Sequence, residues 1–377
     1  MKPKLNFVAE QLEKIKKDDL YRQLRSGKVS GPYITINKKR LVNLCSNDYL
    51  GMPASKLSAE QMQSSSRLVS GNDVVFNLLE RKLAKHKSQQ NALIFTTGYM
   101  ANIGAITALI QKNDQILSDE YNHASIIEAC RLTNAKISVY KHNDMNDLKL
   151  KISKKFKRRF IISEGIFSMD GDFANLKEIT KIAEQKNAIT ILDDAHGDFT
   201  VGNDGKGSAE HFGVSKKIDL YISSLSKGLG SFGGYITASN SIIELCTNKA
   251  KSFIYTSALP AVLVEHSIQR FNSNREKYRK KLSNNIQYLS LGLKKLGYNI
   301  TSETHIIPII IGNEKTALEF GSYLYKNGIF AQPIRFPTVP KNKARIRISV
   351  TAWLSKKHIE TALSVFDSAG KKFNLFC

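Results

Sequence analysis

The sequence predicts an α/β protein built on a mostly parallel seven-stranded sheet sandwiched by helices, followed by a smaller C-terminal α+β lobe. Three observations carry that expectation. The chain has 377 residues, more than one small core can organise, so two packed lobes are expected. Seven short β-rich runs alternate with helical stretches between about residues 75 and 240, the pattern of a parallel sheet covered on both faces. Apolar residues make up 42% and charged residues 24%, which excludes collagen, coiled-coil, disordered and disulfide-scaffold chains.

The elements follow in order. Leu5, Val8, Leu12 and Ile15 recur at helical spacing, so the first 30 or so residues read as a helix. A strand pair is expected at 33–36 and 41–44, joined through Asn37-Lys38-Lys39-Arg40. The seven runs are 92–95, 115–118, 137–140, 160–163, 189–192, 220–223 and 235–238. After about residue 265 a long charged helix precedes strands at 305–311, 329–331 and 345–350. The expected divisions are an N-terminal segment (1–45), a large α/β domain (46–265) and a small α+β domain (266–377).

Cys45, Cys130, Cys246 and Cys377 are scattered without CxxC spacing, so neither a metal site nor a disulfide framework is expected, and a reducing cytoplasm is the simplest home. No apolar run approaches the roughly 20 residues that span a bilayer, and the N-terminus has acidic residues where a signal sequence has an apolar middle. The net charge of +23 raises the possibility of a nucleic-acid partner. Yet the lysines are spread along the chain, and the densest run, Lys154 to Arg159, reads as a solvated helix end or loop with no accompanying nucleic-acid motif. Anionic ligands such as phosphates, thioester carriers or an acidic carrier protein suit the charge equally well.

Ligands of parallel sheets bind beyond the carboxyl ends of the strands. Here two such ends are polar: Asp193-Asp194-Ala195-His196-Gly197 and Ser224-Leu225-Ser226-Lys227-Gly228. A carboxylate, an imidazole and a lysine flanked by hydroxyls would meet in one crevice. Pyridoxal phosphate chemistry needs that set, because a lysine holds the aldehyde as a Schiff base and an Asp keeps the pyridine nitrogen protonated. Thr96-Thr97-Gly98-Tyr99 ahead of a helical stretch supplies a turn suited to a phosphate. Taken singly, Lys227 could be a surface lysine and Asp193 a helix cap.

Nine segments in order carry a resemblance. They are Ser46-Asn47-Asp48-Tyr49-Leu50-Gly51, Ser66-Arg67-Leu68-Val69-Ser70-Gly71-Asn72, Thr97-Gly98-Tyr99-Met100-Ala101-Asn102, Asn122-His123-Ala124-Ser125 and His142-Asn143-Asp144. The rest are Glu164-Gly165-Ile166-Phe167-Ser168-Met169-Asp170-Gly171-Asp172, Asp193-Asp194-Ala195-His196-Gly197, Leu225-Ser226-Lys227 and Ser257-Ala258-Leu259-Pro260. With them the chain resembles the α-oxoamine synthases, fold-type-I pyridoxal 5'-phosphate enzymes that join an amino acid to an acyl thioester with loss of carbon dioxide. Ile334-Arg335-Phe336-Pro337-Thr338-Val339-Pro340, the run 344–352 and the Glu164-Gly165 pair imply the branch that uses L-alanine and a pimeloyl thioester, on coenzyme A or a carrier protein. Glycine with acetyl-CoA, glycine with succinyl-CoA and serine with a long acyl chain are the alternatives within the family. A non-catalytic partner subunit and a nucleic-acid-binding relative are those outside it.

The resemblance assigns roles. Lys227 forms the internal Schiff base, Asp193 pairs with the pyridinium nitrogen, His196 meets the ring's phenolic oxygen and His123 lies on the ring face and against the substrate. Ser168, Ser224, Gly98 and Tyr99 contact the cofactor or its phosphate. Ser257, with Thr256 beside it, reaches the phosphate of a neighbouring subunit, which makes a homodimer part of the expectation. Arg347 takes the amino acid's carboxylate, Arg345 being the alternative two residues away, and Asn47 assists. Arg22 and Thr338 face the acyl substrate. Three departures stand out: Met62-Gln63-Ser64-Ser65-Ser66 where glycines are usual, Phe76 in place of a histidine, and Asp198-Phe199 in place of Thr-Gly. None removes a residue assigned to cofactor chemistry, but the first places acyl-chain specificity in question.

Overall fold

A computed structural model describes residues 3–53, 57 and 64–376. Two compact units divide the chain: Asn47–Ser168 with Asp172–Lys280, and Met1–Ser46 with Met169–Gly171 and Lys281–Cys377. In chain order the strands are β1 (Gly27–Ser30), β2 (Tyr33–Ile36), β3 (Lys39–Asn43), β4 (Asn91–Phe95), β5 (Gln115–Asp119), β6 (Lys136–Tyr140) and β7 (Arg159–Glu164). Then come β8 (Ile189–Asp193), β9 (Leu220–Ser224), β10 (Gly234–Ala238), β11 (Ile306–Gly312), β12 (Ile329–Phe330), β13 (Pro333–Ile334) and β14 (Ala344–Ser349).

The larger unit holds the seven-stranded sheet in the order β4-β10-β9-β8-β7-β5-β6. Only β10 runs antiparallel to its neighbours, β4 and β9. Both faces are buried, and the strands show it residue by residue. Along β7, Phe160 and Ile162 enter one core with Ile116, Ile191 and Ile222. Ile161 enters the other, with Leu117, Leu192 and Tyr221. Side chains alternate across a strand, so a run apolar at every position is what a sheet covered twice requires.

The smaller unit has one sheet in the order β1-β2-β3-β12 and another in the order β11-β14-β13. Its N-terminal helix is shorter than expected, Asn6–Lys17, because Asp19 adopts a left-handed φ of 55° just beyond it. β1 was not anticipated: all four of its residues are exposed, so it has no alternation to read. β13, at two residues, is too short to leave a pattern. The expected charged helix is Glu276–Lys295. The basic run forms the connection into β7, where Arg158 pairs with Asp114 at 2.8 Å. Among the described residues no helix is long and apolar enough to cross a membrane.

Candidate active site

In the larger unit Asp193, His196, Ser224 and Lys227 lie at or just past the carboxyl ends of β8 and β9, with Ser168 past β7, His123 past β5 and Gly98 and Tyr99 past β4. Asp193 is the last residue of β8, and register pairs it with Glu164, the last of β7. The Asp193 carboxylate is buried and held by two donors: Asn102 Nδ2 at 2.6 Å and the Ala195 backbone N–H at 3.0 Å. A buried acceptor needs such partners, so Asn102 fixes which way Asp193 points.

His196 stands between an amine and a phenol. Lys227 Nζ, half-buried just past β9, lies 3.0 Å from His196 Nε2. Tyr49 Oη lies 2.7 Å from His196 Nδ1 and donates to Asn47 Oδ1 at 3.0 Å. With the phenol hydrogen spent on Asn47, Nδ1 is the donor to Tyr49 and Nε2 the acceptor from Lys227. Tyr49 is fully buried, so this line of contacts has little freedom.

His123 caps the helix Ala124–Leu132. Its Nδ1 lies 2.7 Å from Ser125 Oγ and accepts from the Ser125 N–H at 3.3 Å, while Ser125 Oγ accepts from Asn102 Nδ2 at 3.1 Å. The neutral ring therefore carries its hydrogen on Nε2. Burial lowers its pKa, as does Lys227, against an opposing pull from Asp193, which keeps the ring neutral. Asn102 and Ser125 thus tie His123 to Asp193. Burial likewise pushes the Glu164 carboxyl well above its usual range, and the Asp193 charge adds to the shift. Its Oε2 accepts from the Ser168 N–H at 3.2 Å, and its Oε1 has no hydrogen-bond partner.

The phosphate turn has the backbone geometry the chemistry asks for. Thr97 caps the helix Gly98–Leu109, accepting from the Met100 N–H, so the first N–H groups of the helix face outward at Gly98 and Tyr99. A Cβ on Gly98 would lie 3.2 Å from Ser224 Cβ, and one on Gly234 would lie 2.4 Å from the Gly98 nitrogen. Only glycine lets β10 approach this turn. An anion cradle, a held carboxylate and a lysine against a histidine are what a phosphorylated pyridine aldehyde requires. The residues present fit that group.

Ser168 is buried beside Glu164. Ser257 is exposed after the helix Lys251–Ile254, where it lines a crevice with Arg67, Thr96 and Leu259. The residue after it is held in the same unit, with the Ala258 N–H donating to the Ser65 carbonyl at 2.8 Å. Met62 and Gln63 of the altered loop lie outside the described residues. In the smaller unit, Arg22 and Thr338 line one cavity of about 570 Å³ together with Arg25 and Arg335. Arg345 and Arg347 are both buried on β14. Arg345 is engaged by Asp170, whereas Arg347 Nη1 donates to Ser349 Oγ at 2.6 Å. Asn102, Ser125, Tyr49 and Glu164 received no role from the sequence, although each lies inside a segment that carried the resemblance.

Comparison with known proteins gives the family and the fold. The description "Aminotransferase class I and II" matches residues 39–366. An 8-amino-7-oxononanoate synthase from Thermoanaerobacter pseudethanolicus is 42% identical over 98% of this chain and 98% of its own length. One from Thermosipho melanesiensis is 38% identical over 98% and 99%. Among solved structures, Sphingomonas wittichii serine palmitoyltransferase superposes with a TM-score of 0.91 at 25% identity, covering 100% of this chain and 99% of that one. An 8-amino-7-oxononanoate synthase from Francisella tularensis gives 0.75 at 26% identity, covering 88% and 98%. The chain belongs to the aminotransferase class I and II family, with the fold of its pyridoxal-phosphate enzymes. Inside that family its place is with the 8-amino-7-oxononanoate synthases, acyltransferases of biotin biosynthesis.

Proposed function

We propose that the chain condenses L-alanine with a pimeloyl thioester, carried by coenzyme A or a carrier protein, and releases carbon dioxide, the free thiol and 8-amino-7-oxononanoate. The observation that carries this reading is the amine of Lys227 at 3.0 Å from His196, at the sheet edge where Asn102 holds Asp193. Pyridoxal 5'-phosphate, when bound, supplies an electron sink for the charge left at the substrate α-carbon. Lys227 would hold its aldehyde, Asp193 its ring nitrogen, His196 its phenolic oxygen and His123 its ring face. Gly98, Tyr99, Ser168 and Ser224 would line its phosphate and flanks. A serine palmitoyltransferase of this fold was solved with the cofactor as an internal aldimine, which supports the assignment.

The chain's own groups then divide the work. Lys227 Nζ takes the α-proton, and His196 Nε2, locked by Tyr49, keeps that nitrogen in place. Neutral His123, with its hydrogen on Nε2, can donate to a substrate oxygen. Arg347 receives the amino acid's carboxylate and Asn47 assists, as the family resemblance implies. Arg22 and Thr338 meet the acyl chain. The protein acts as a cytoplasmic homodimer in which Ser257 of the partner subunit completes each phosphate site. The exposed Phe7, Val8, Leu12 and Ile15 of the N-terminal helix offer an apolar face to such a partner.

A substrate screen tests the reading. Alanine, glycine and serine are each paired with pimeloyl, acetyl, succinyl and long-chain thioesters, and thiol release is followed. Alanine with the pimeloyl thioester should give the highest kcat/KM, and a higher value for any other pair refutes the assignment. Lys227→Ala should abolish turnover, and borohydride treatment of the wild-type holoenzyme should fix one cofactor mass on the peptide containing Lys227.

A further inference from the structure

Beneath the site lies a buried charge cluster that the reaction does not use. Asp198, fully buried, sits two residues past His196. Its Oδ1 lies 3.0 Å from His86 Nε2 and 2.8 Å from Lys87 Nζ. Its Oδ2 accepts from Ser223 Oγ at 2.8 Å and from the hydroxyl of Tyr235. Lys87 Nζ, as buried, also binds Asp194 Oδ2 at 2.9 Å and the Lys206 carbonyl at 2.8 Å. One carboxylate therefore joins the end of the helix Val74–His86, the strands β9 and β10, and the loop after β8.

Two of these ties lead to a functional group one residue away, one directly and one through Lys87. Ser223 precedes Ser224 in the strand that delivers Lys227. Asp194 follows Asp193. A Cβ on Gly228, next to Lys227, would lie 2.4 Å from the Asp198 carbonyl oxygen, so the lysine loop rests on the Asp198 backbone. Burial opposes the Asp198 charge, but the Lys87 ammonium and the His86 hydrogen bond outweigh it and hold the carboxyl well below its usual range. Resting on the reading given under Proposed function, we propose that Asp198 is a positioning residue: its carboxylate clamps the His196 loop to the strand end that presents Lys227 and thereby sets the contact between those two side chains.

Asp198→Asn keeps the shape and the capacity to accept from Ser223 and Tyr235, but removes the charge that faces Lys87. In the cofactor-free protein, ring-nitrogen NMR of His196, assigned with His196→Gln, should show its titration moved by about 0.5 pH unit or more. In reconstituted protein, the dissociation constant of pyridoxal 5'-phosphate should rise about tenfold, and the pH midpoint of the bound cofactor's visible absorption should move with it. A folded Asp198→Asn protein with an unmoved His196 titration, cofactor affinity and absorption midpoint overturns the proposal, whatever its melting temperature. Should that variant fail to fold, Ser223→Ala and Tyr235→Phe each remove one tie, and no shift in either overturns it equally. A wild-type protein that takes up no cofactor sinks the functional reading instead and leaves the NMR comparison to judge the clamp.

Discussion

Tyr49→Phe removes one oxygen from the line that ends at Lys227, and the structure sets the size of the effect. The Tyr49 hydroxyl accepts from His196 Nδ1 at 2.7 Å and donates to Asn47 Oδ1 at 3.0 Å, inside a fully buried ring environment. Phenylalanine keeps the ring packing, so no cavity penalty accompanies the change. What is lost is the acceptor for a buried imidazole N–H, a desolvation cost of about 1–3 kcal/mol. Part of that falls on stability and part on the orientation of His196, so kcat/KM should drop about 10- to 30-fold while the protein stays folded. The assay is a double-mutant cycle with His196→Gln, reading both urea unfolding and kcat/KM. Residues joined by one hydrogen bond should couple by about 0.5–3 kcal/mol, so a coupling below about 0.3 kcal/mol would refute the bridging role.

Glu164→Gln should leave kcat within about threefold of wild type, because burial and Asp193 keep the native carboxyl protonated and a carboxamide offers the same acceptor to the Ser168 N–H. A hundredfold loss would show that a charged Glu164 is needed. His142 makes the opposite prediction about protonation. Burial disfavours its charge, but Asp119 at 2.9 Å and Asp172 at 2.8 Å win and push its pKa up to about 10. A raised pKa stabilises the fold fully below the ordinary histidine value of about 6.5, and the contribution fades as pH climbs from there through the folded value. The melting-temperature gap between wild type and His142→Ala should therefore be widest near pH 6 and close toward pH 10. A gap that widens as pH rises would contradict the double carboxylate clamp.

Most of the architecture was legible because burial on two faces leaves an unbroken apolar run: six of the seven large-sheet strands missed one residue at one end, and β7 missed one at each end. The edges that escaped were those with no burial contrast, β1 with every residue exposed and β13 with two residues. The site divides along the same physical line. Lys227, Asp193 and His196 announce themselves because charged groups at strand ends are out of place in a sheet core. Asn102 gave no such signal: it lies mid-helix among Ala101, Gly104 and Ala105, and only its contacts to Asp193 and Ser125 reveal it. Tyr49 is hidden for a similar reason, since a buried tyrosine reads as core until its hydroxyl is located. Short-range pattern points to the groups proposed to react, and three-dimensional contact adds the groups that hold them.

The departures from the family pattern obey the same division. Phe199 holds a left-handed φ of 63°, a conformation that costs a residue with a side chain about 1–2 kcal/mol relative to glycine. Its ring is fully buried, stacked on His86 at 4.9 Å and met edge-on by Phe271 at 6.2 Å. Burying a phenylalanine is worth about 1.5–3 kcal/mol, and aromatic pairs add about 0.5–1.5 kcal/mol, so the strain is more than offset. Phe76 is also fully buried, and the Arg67 guanidinium lies 4.2 Å over its ring while binding Glu80 at 2.6 Å. Both substitutions are satisfied where they stand, by partners that touch none of Lys227, Asp193 or His123. A replacement that altered the reaction would have to disturb one of those groups or the residues that hold them. On the proposed reading the acyl thioester meets the cationic cavity lined by Arg22, Arg25, Arg335 and Thr338, and Arg335→Ala should then raise the KM for the thioester more than the KM for alanine.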